Sequence, residues 1–228
     1  MHTSDPAAGG WLRYAADWRT LSFVAAHFAL IVVAWLWDPS GWGAAFMVAV
    51  LASSSYQCAV ITHNVIHCPI FRSRRLNRLF QVVLTHTYGH PVSTFVPGHN
   101  LSHHKYVETP RDVMRTTKVR TQSNLLNILL FYPVVAPAIL RSDATFASGM
   151  KARNPRWHRQ LMTETAVLVV TSLVLLVIDP LRFLLFWMFP HFVGGWGIIS
   201  TNMLQHDGCD VEHRANHTSA HSFEYLTR

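Results

Sequence analysis

Four long apolar runs constrain this chain more than any other feature: Leu21–Trp37, Gly41–Ile61, Leu161–Ile178 and Leu181–Ser200. A bilayer core about 30 Å thick takes roughly 20 helical residues, with about 17 tolerated, and each run meets that need. Lipid offers no partner for backbone N–H and C=O groups, so runs of this kind cross as helices. Asp38-Pro39-Ser40 separates the first two runs and Asp179-Pro180 the second two. Links this short force antiparallel hairpins, and Asp followed by Pro suits a helix start. The expected architecture is all-α and integral to the membrane: two transmembrane helical hairpins, about four spans, with a histidine-rich helical cap. Asn124–Leu140 is apolar but interrupted by Pro133 and Pro137. It reads as a helix on, or dipping into, the interface rather than as a fifth span. No internal repeat or linker divides the chain, so 1–228 reads as one domain.

Composition supports this reading. Hydrophobic residues make up 50% and charged residues only 14%, against about 25% charged in soluble proteins. That excludes disorder, which needs low hydrophobicity and high charge. Cys58, Cys68 and Cys209 are too few, and odd in number, for a disulfide scaffold. The formal charge of +7 is concentrated between Thr62 and Gln160. A basic block bounded by apolar runs fits a cytoplasmic face better than a nucleic-acid surface, and no nucleic-acid partner is expected. Two hairpins return the chain to its starting side, so both termini and the 62–160 segment share that face. Met1–Trp18 lacks the basic start and apolar core of a signal peptide.

The second constraint is 15 histidines. His63 and His67 stand as HNVIH beside the second span. His99, His103 and His104 stand as HNLSHH, and His86 and His90 as HTYGH. His206 follows Asn202 by four residues, and His213, His217 and His221 repeat the same spacing in the tail. On a helix, residues four apart share a face with side chains about 5–6 Å apart. In HNLSHH, α-helical spacing puts His104 about 100° from His103, so one short helix can serve two metal ions. Neutral imidazole suits iron, zinc, copper or nickel. HNVIH and HNLSHH share one expected face, and they point to a transition-metal site. His27 and His191 lie inside apolar runs and read more simply as hydrogen-bonded core histidines. His2 and His158 read as surface residues.

These motifs resemble the membrane fatty acid desaturase family. HNVIH matches that family's first histidine box, and HNLSHH, within GHNLSHHKYVETPRD, its second. The order also matches: hairpin, two boxes, hairpin, then a histidine-bearing tail, over roughly Ser22 to Arg214. The resemblance implies a cytosolic centre of two iron ions held by His63, His67, His99, His103, His104 and His206. Asn202 would bind through a water. His213, His217 and His221 are weaker metal candidates. Asp112 and Asp207 are candidates for orienting the imidazoles; helix capping explains them equally well. No HxxHH or QxxHH follows His206, so the chain reads as ending short of a third box, with little iron binding or activity of its own.

The implied activity is oxygen-dependent desaturation of a fatty acyl chain, with O2 as co-substrate. Electrons come from a separate donor, ferredoxin or cytochrome b5-like, because no haem or flavin fingerprint is present. Lys105, Arg111, Arg115, Lys118 and Arg120 follow the second box. They suit phosphate or acyl-carrier groups, or anionic lipid. The same scaffold also suits a di-iron hydroxylase or ketolase acting on a carotenoid, sterol or alkane. A histidine-rich metal transporter would need ligands inside the spans, where only His27 and His191 stand. A zinc hydrolase would need an HExxH, which the sequence lacks.

Overall fold

The computed structural model describes residues 10–106 and 108–206, apart from the side chains at 99, 100 and 104. Asp207 and the tail histidines His213, His217 and His221 lie outside the described residues. Chain contacts divide the protein into two compact units, with boundaries after Ser93, Pro155 and Gly195. Every regular element among the described residues is helical. Five helical runs are long and apolar enough to cross a membrane. Four correspond to the expected spans, and the fifth contains Asn124–Leu140.

The first unit opens with the hairpin of α1 (Asp17–Trp37) and α2 (Gly41–His67). Asp38 ends α1 in the left-handed region at φ 54. α2 runs past its apolar part and carries His63 and His67 on its final turn. Next comes α3 (Arg74–Tyr88), which begins at the Ser73 cap and ends at Gly89. The second hairpin is α6 (Pro155–Ile178) followed by α7 (Pro180–Phe183), a π-helical turn over Leu184–Met188, and the first part of α8 (Phe189–His206). Asp179 caps α7 by accepting the Arg182 N–H at 3.0 Å, and Pro180 stands at the first position, as the sequence implied.

Arg182 ties the two hairpin turns together. Its guanidinium reaches Asp38 at 2.8 Å and Asp179 at 3.1 Å, and it donates to the Trp35 carbonyl at 2.7 Å. The turns therefore lie at one end of this unit. Beside them, Ile31, Ala34, Met47, Leu51, Phe186 and Trp187 form the apolar core. Trp37 and Trp42 are exposed at the turn end, Trp11 and Trp18 at the other. Trp18 and Trp37 are separated by about 28 Å of helix, close to a bilayer core, as expected of aromatic belts. The His67 end is fixed by backbone pairing: Arg13 N–H donates to Ile70 O at 2.8 Å and Arg72 N–H to Trp11 O at 3.1 Å.

The second unit holds the π-helical segment Val96–His103, the short α4 (His104–Tyr106), α5 (Asn124–Arg153) and the end of α8. The second histidine box is thus mainly π-helical rather than α-helical. Hydrogen bonding from i to i+5 widens the turn through His103. α5 is one continuous helix with Pro133 and Pro137 inside it. Pro133 has no N–H to offer the Leu129 carbonyl. The Trp196 indole N–H donates to that carbonyl at 3.4 Å. Val119, Phe131, Val135 and Met203 form the core of this unit.

Candidate metal centre

The last turn of α2 brings the His63 and His67 rings to 4.9 Å between centroids, inclined by 63°. In the second unit, His103 at the end of the π segment meets His206 at the end of α8, at 4.7 Å and 71°. Two imidazoles on one ion, at about 2.1 Å per bond and ordinary ligand angles, have centroids about 4.6–5.3 Å apart. Both pairs fit that spacing. The spacing of four thus produced a close pair in HNVIH. His103 meets His206 across about a hundred residues of chain, and both are among the ligands the resemblance implied. Among the described residues, no group of three or more His, Cys, Asp or Glu is arranged around one ion. The side chains of His99 and His104 lie outside the described residues.

His103 is fully buried, and its Nδ1 donates to Asp112 Oδ2 at 2.9 Å. A carboxylate accepts only, so the proton belongs on Nδ1 and the lone pair of the neutral ring on Nε2. That is the tautomer a metal ligand needs, held by the carboxylate partner usual behind such histidines. Asp112 is therefore more than a cap. Its Oδ2 also accepts the Glu108 N–H at 3.1 Å, and Oδ1 accepts the Met114 N–H at 2.8 Å. Burial pushes its carboxyl up, but the bonds from His103, Met114 and Glu108 outweigh this and leave it below the ordinary carboxylate value.

Glu108 supports this arrangement, and the sequence reading did not single it out. Its backbone sits at φ 58, a region side chains rarely adopt. Its carboxylate accepts the Thr116 N–H at 2.9 Å and the Thr116 hydroxyl at 2.9 Å. The 108–116 loop is thereby closed behind His103. Asn202 reaches the same loop, with Nδ2 donating to Met114 O at 3.3 Å. Only the density of short polar residues in ETPRDVMRT could have indicated this loop, because the bonds depend on its closure. At its rim, Lys105 and Arg111 flank the Tyr106 ring at 5.2 and 5.6 Å. Both cations lower the phenol's pKa, Lys105 the more strongly.

His27, His86, His90, His158 and His191 belong to the first unit. His191 Nε2 donates to the His86 carbonyl at 3.0 Å, and His86 Nε2 faces Thr171 Oγ1 at 3.3 Å. His27 Nδ1 meets Ser54 Oγ at 2.8 Å. His27 and His191 are thus hydrogen-bonded core residues.

Comparison with characterised proteins and with solved structures returns no match. A family model described as fatty acid desaturase matches residues 40–224, a span that takes in both histidine boxes, Asn202 and His206, and by that match over well more than half of its length the chain belongs to the fatty acid desaturase family.

Proposed function

We propose that the chain is a membrane-bound, di-iron, oxygen-dependent desaturase that introduces a double bond into a fatty acyl chain. The observation that carries this reading is the buried His103–Asp112 pair with His206 against it. His63, His67, His99, His103, His104 and His206 are the proposed ligands, and Asn202 positions a water. Iron bound there supplies the O2 chemistry and the oxidising power needed to break unactivated C–H bonds. The protein's own part is to hold imidazoles in the ligating tautomer, to keep carboxylates behind them rather than on the metal, and to present the site beside lipid-exposed helices. Electrons come from a separate donor, and the substrate is drawn from the bilayer.

Chain parity supports four crossings, with α5 on the histidine side. Asp38 and Asp179 share Arg182, so the starts of α2 and α7 lie at one end and His67 and Pro155 at the other. Among the described residues of 68–123 no helix qualifies as a span, which keeps Asn124 on the His67 side in this reading. Arg153 adjoins Pro155 on that same side. A helix with both ends on one side does not cross. The Lys/Arg excess assigns that side to the cytoplasm, with the histidine boxes.

The test is iron per chain of the purified full-length protein. Two iron atoms are expected, with loss on His63→Ala or His103→Ala. Full retention by both variants would overturn the ligand set. Products from the full-length protein with an electron donor should gain a double bond and retain no oxygen; a hydroxylated product would reassign the reaction.

A further inference from the structure

α3 differs from every other helix of the first unit. It is too short and too polar to be counted among the apolar spans, yet its C-terminal end is held at the middle of three of them. The Thr87 carbonyl accepts the Ser55 hydroxyl at 2.7 Å, near the centre of α2. The His86 carbonyl accepts His191 Nε2 at 3.0 Å, and the His86 ring faces Thr171 of α6 at 3.3 Å. The Thr85 carbonyl is closed by Gly89 N–H at 3.2 Å. A helix leaves its last four carbonyls without intrahelical donors, and in a bilayer such groups must find protein partners. Three of the four have them here, two from side chains of apolar spans.

After Tyr88 the chain reverses. Gly89 takes φ 76, and a Cβ there would lie 2.6 Å from His191 Cβ and 2.7 Å from its ring. The Ser93 N–H then bonds Glu164 at 2.8 Å. Glu164 precedes Thr171 on α6 by two turns, about 10 Å nearer the Pro155 end. The segment therefore enters from the His67 end, reaches mid-depth and returns.

Depth along α3 follows from the helical rise. Val83 lies about 6 Å and Leu79 about 12 Å from Thr87, inside a half-bilayer of about 15 Å. Leu76, Arg78, Arg75 and Arg74 fall about 14–20 Å away, at the headgroups. Leu79 is 64% exposed and Val83 39% exposed. Arg72, Arg74, Arg75 and Arg78 are exposed as well. Apolar side chains thus face outward at hydrocarbon depth, and guanidinium groups face outward at phosphate depth.

We propose that α3 is a re-entrant half-span whose arginine collar, Arg72, Arg74, Arg75 and Arg78, binds the phosphates of anionic lipids on the histidine side. This rests on the membrane reading above and adds an element and a lipid site to it. Charge complementarity and the depth match select lipid over a soluble acidic protein.

The experiment uses the full chain in vesicles of phosphatidylcholine with one-fifth phosphatidylglycerol, with nitroxide labels at Leu79→Cys, Val83→Cys and, as a control on α2, Phe46→Cys. Cys58, Cys68 and Cys209 are replaced by alanine. All three labels are expected to be relaxed by oxygen and protected from an aqueous nickel chelate. Nickel access at Leu79 and Val83 with Phe46 protected would overturn the half-span and leave the arginines to a soluble acidic partner. Nickel access at Phe46 as well would overturn the span assignment itself. The R74Q/R75Q/R78Q variant should lower the preference for phosphatidylglycerol over phosphatidylcholine roughly tenfold or more. An unchanged preference would overturn the headgroup site.

Discussion

Asp112 is buried and accepts three hydrogen bonds, one from His103 and two from backbone N–H groups. Asp112→Asn keeps the shape but turns one carboxylate oxygen into a donor. We expect metal affinity to fall about 10- to 100-fold, as for other losses of a carboxylate behind a ligating histidine. Iron content titrated against a chelator measures this, and unchanged affinity would detach Asp112 from the site. His191→Phe fills a similar volume but leaves the His86 carbonyl without a donor. A loss of about 1–3 kcal/mol is expected, read by thermal unfolding in detergent, with iron content unaffected. The two cases show what single residues disclose in sequence. Four-residue spacing is local, so His63 and His67 were legible as a pair. His191 was legible only as an anomaly in an apolar run, because its partner is a carbonyl more than a hundred residues away. Glu108 carried no signal, since its role exists only once the 108–116 loop closes.

Among the elements, the apolar runs were legible because length and hydropathy suffice to define a span. Their ends were less so: α2 continues to His67 because imidazole does not end a helix, although it ends the hydropathy signal. α3 was hidden, since its polar C-terminal half is buried by bonds to other helices rather than by apolar character. The π-helical second box was hidden as well, because no residue spacing in HNLSHH separates π from α geometry. Packing between elements yields its own prediction at Gly194. A Cβ there would lie 2.5 Å from Ser55 Oγ and 3.2 Å from the Ser55 carbonyl oxygen. Gly194→Ala must displace the hydroxyl that caps Thr87, separate α8 from α2, or do both. A cost of about 1–3 kcal/mol is expected from overpacking. The double variant with Ser55→Ala should cost less than the sum of the singles, because the clash and the lost bond share one oxygen. Strict additivity of the unfolding energies would show that α8 simply moves away.

For the whole molecule, the decisive quantity is the number of crossings, and it cannot be counted from apolar helices alone. Five runs qualify, and five crossings would put the two ends of the described chain on opposite sides. Parity argues for four, through one arginine: as long as Arg182 holds Asp38 and Asp179 together, α2 and α6 have their far ends on a common side. Only a crossing within 68–123 could then let α5 span. The proposed re-entrant path of α3 removes 68–93 from that option, since Ser93 returns toward the end where Arg74 began, and the described part of 94–123 holds no helix that qualifies as a span. Impermeant maleimide applied to intact and inverted vesicles tests this. Single cysteines at Ser123 and Asn154, at the two ends of α5, should both label from the cytoplasmic side, and Ser40→Cys only from the other. Labelling of Ser123→Cys together with Ser40→Cys, but opposite to Asn154→Cys, would make α5 a fifth span. It would also require a crossing within 94–123, since the bonds of Thr87 to Ser55 and of Ser93 to Glu164 bring 68–93 back toward the side it left. The same labels therefore test the parity argument and the half-span on which it depends.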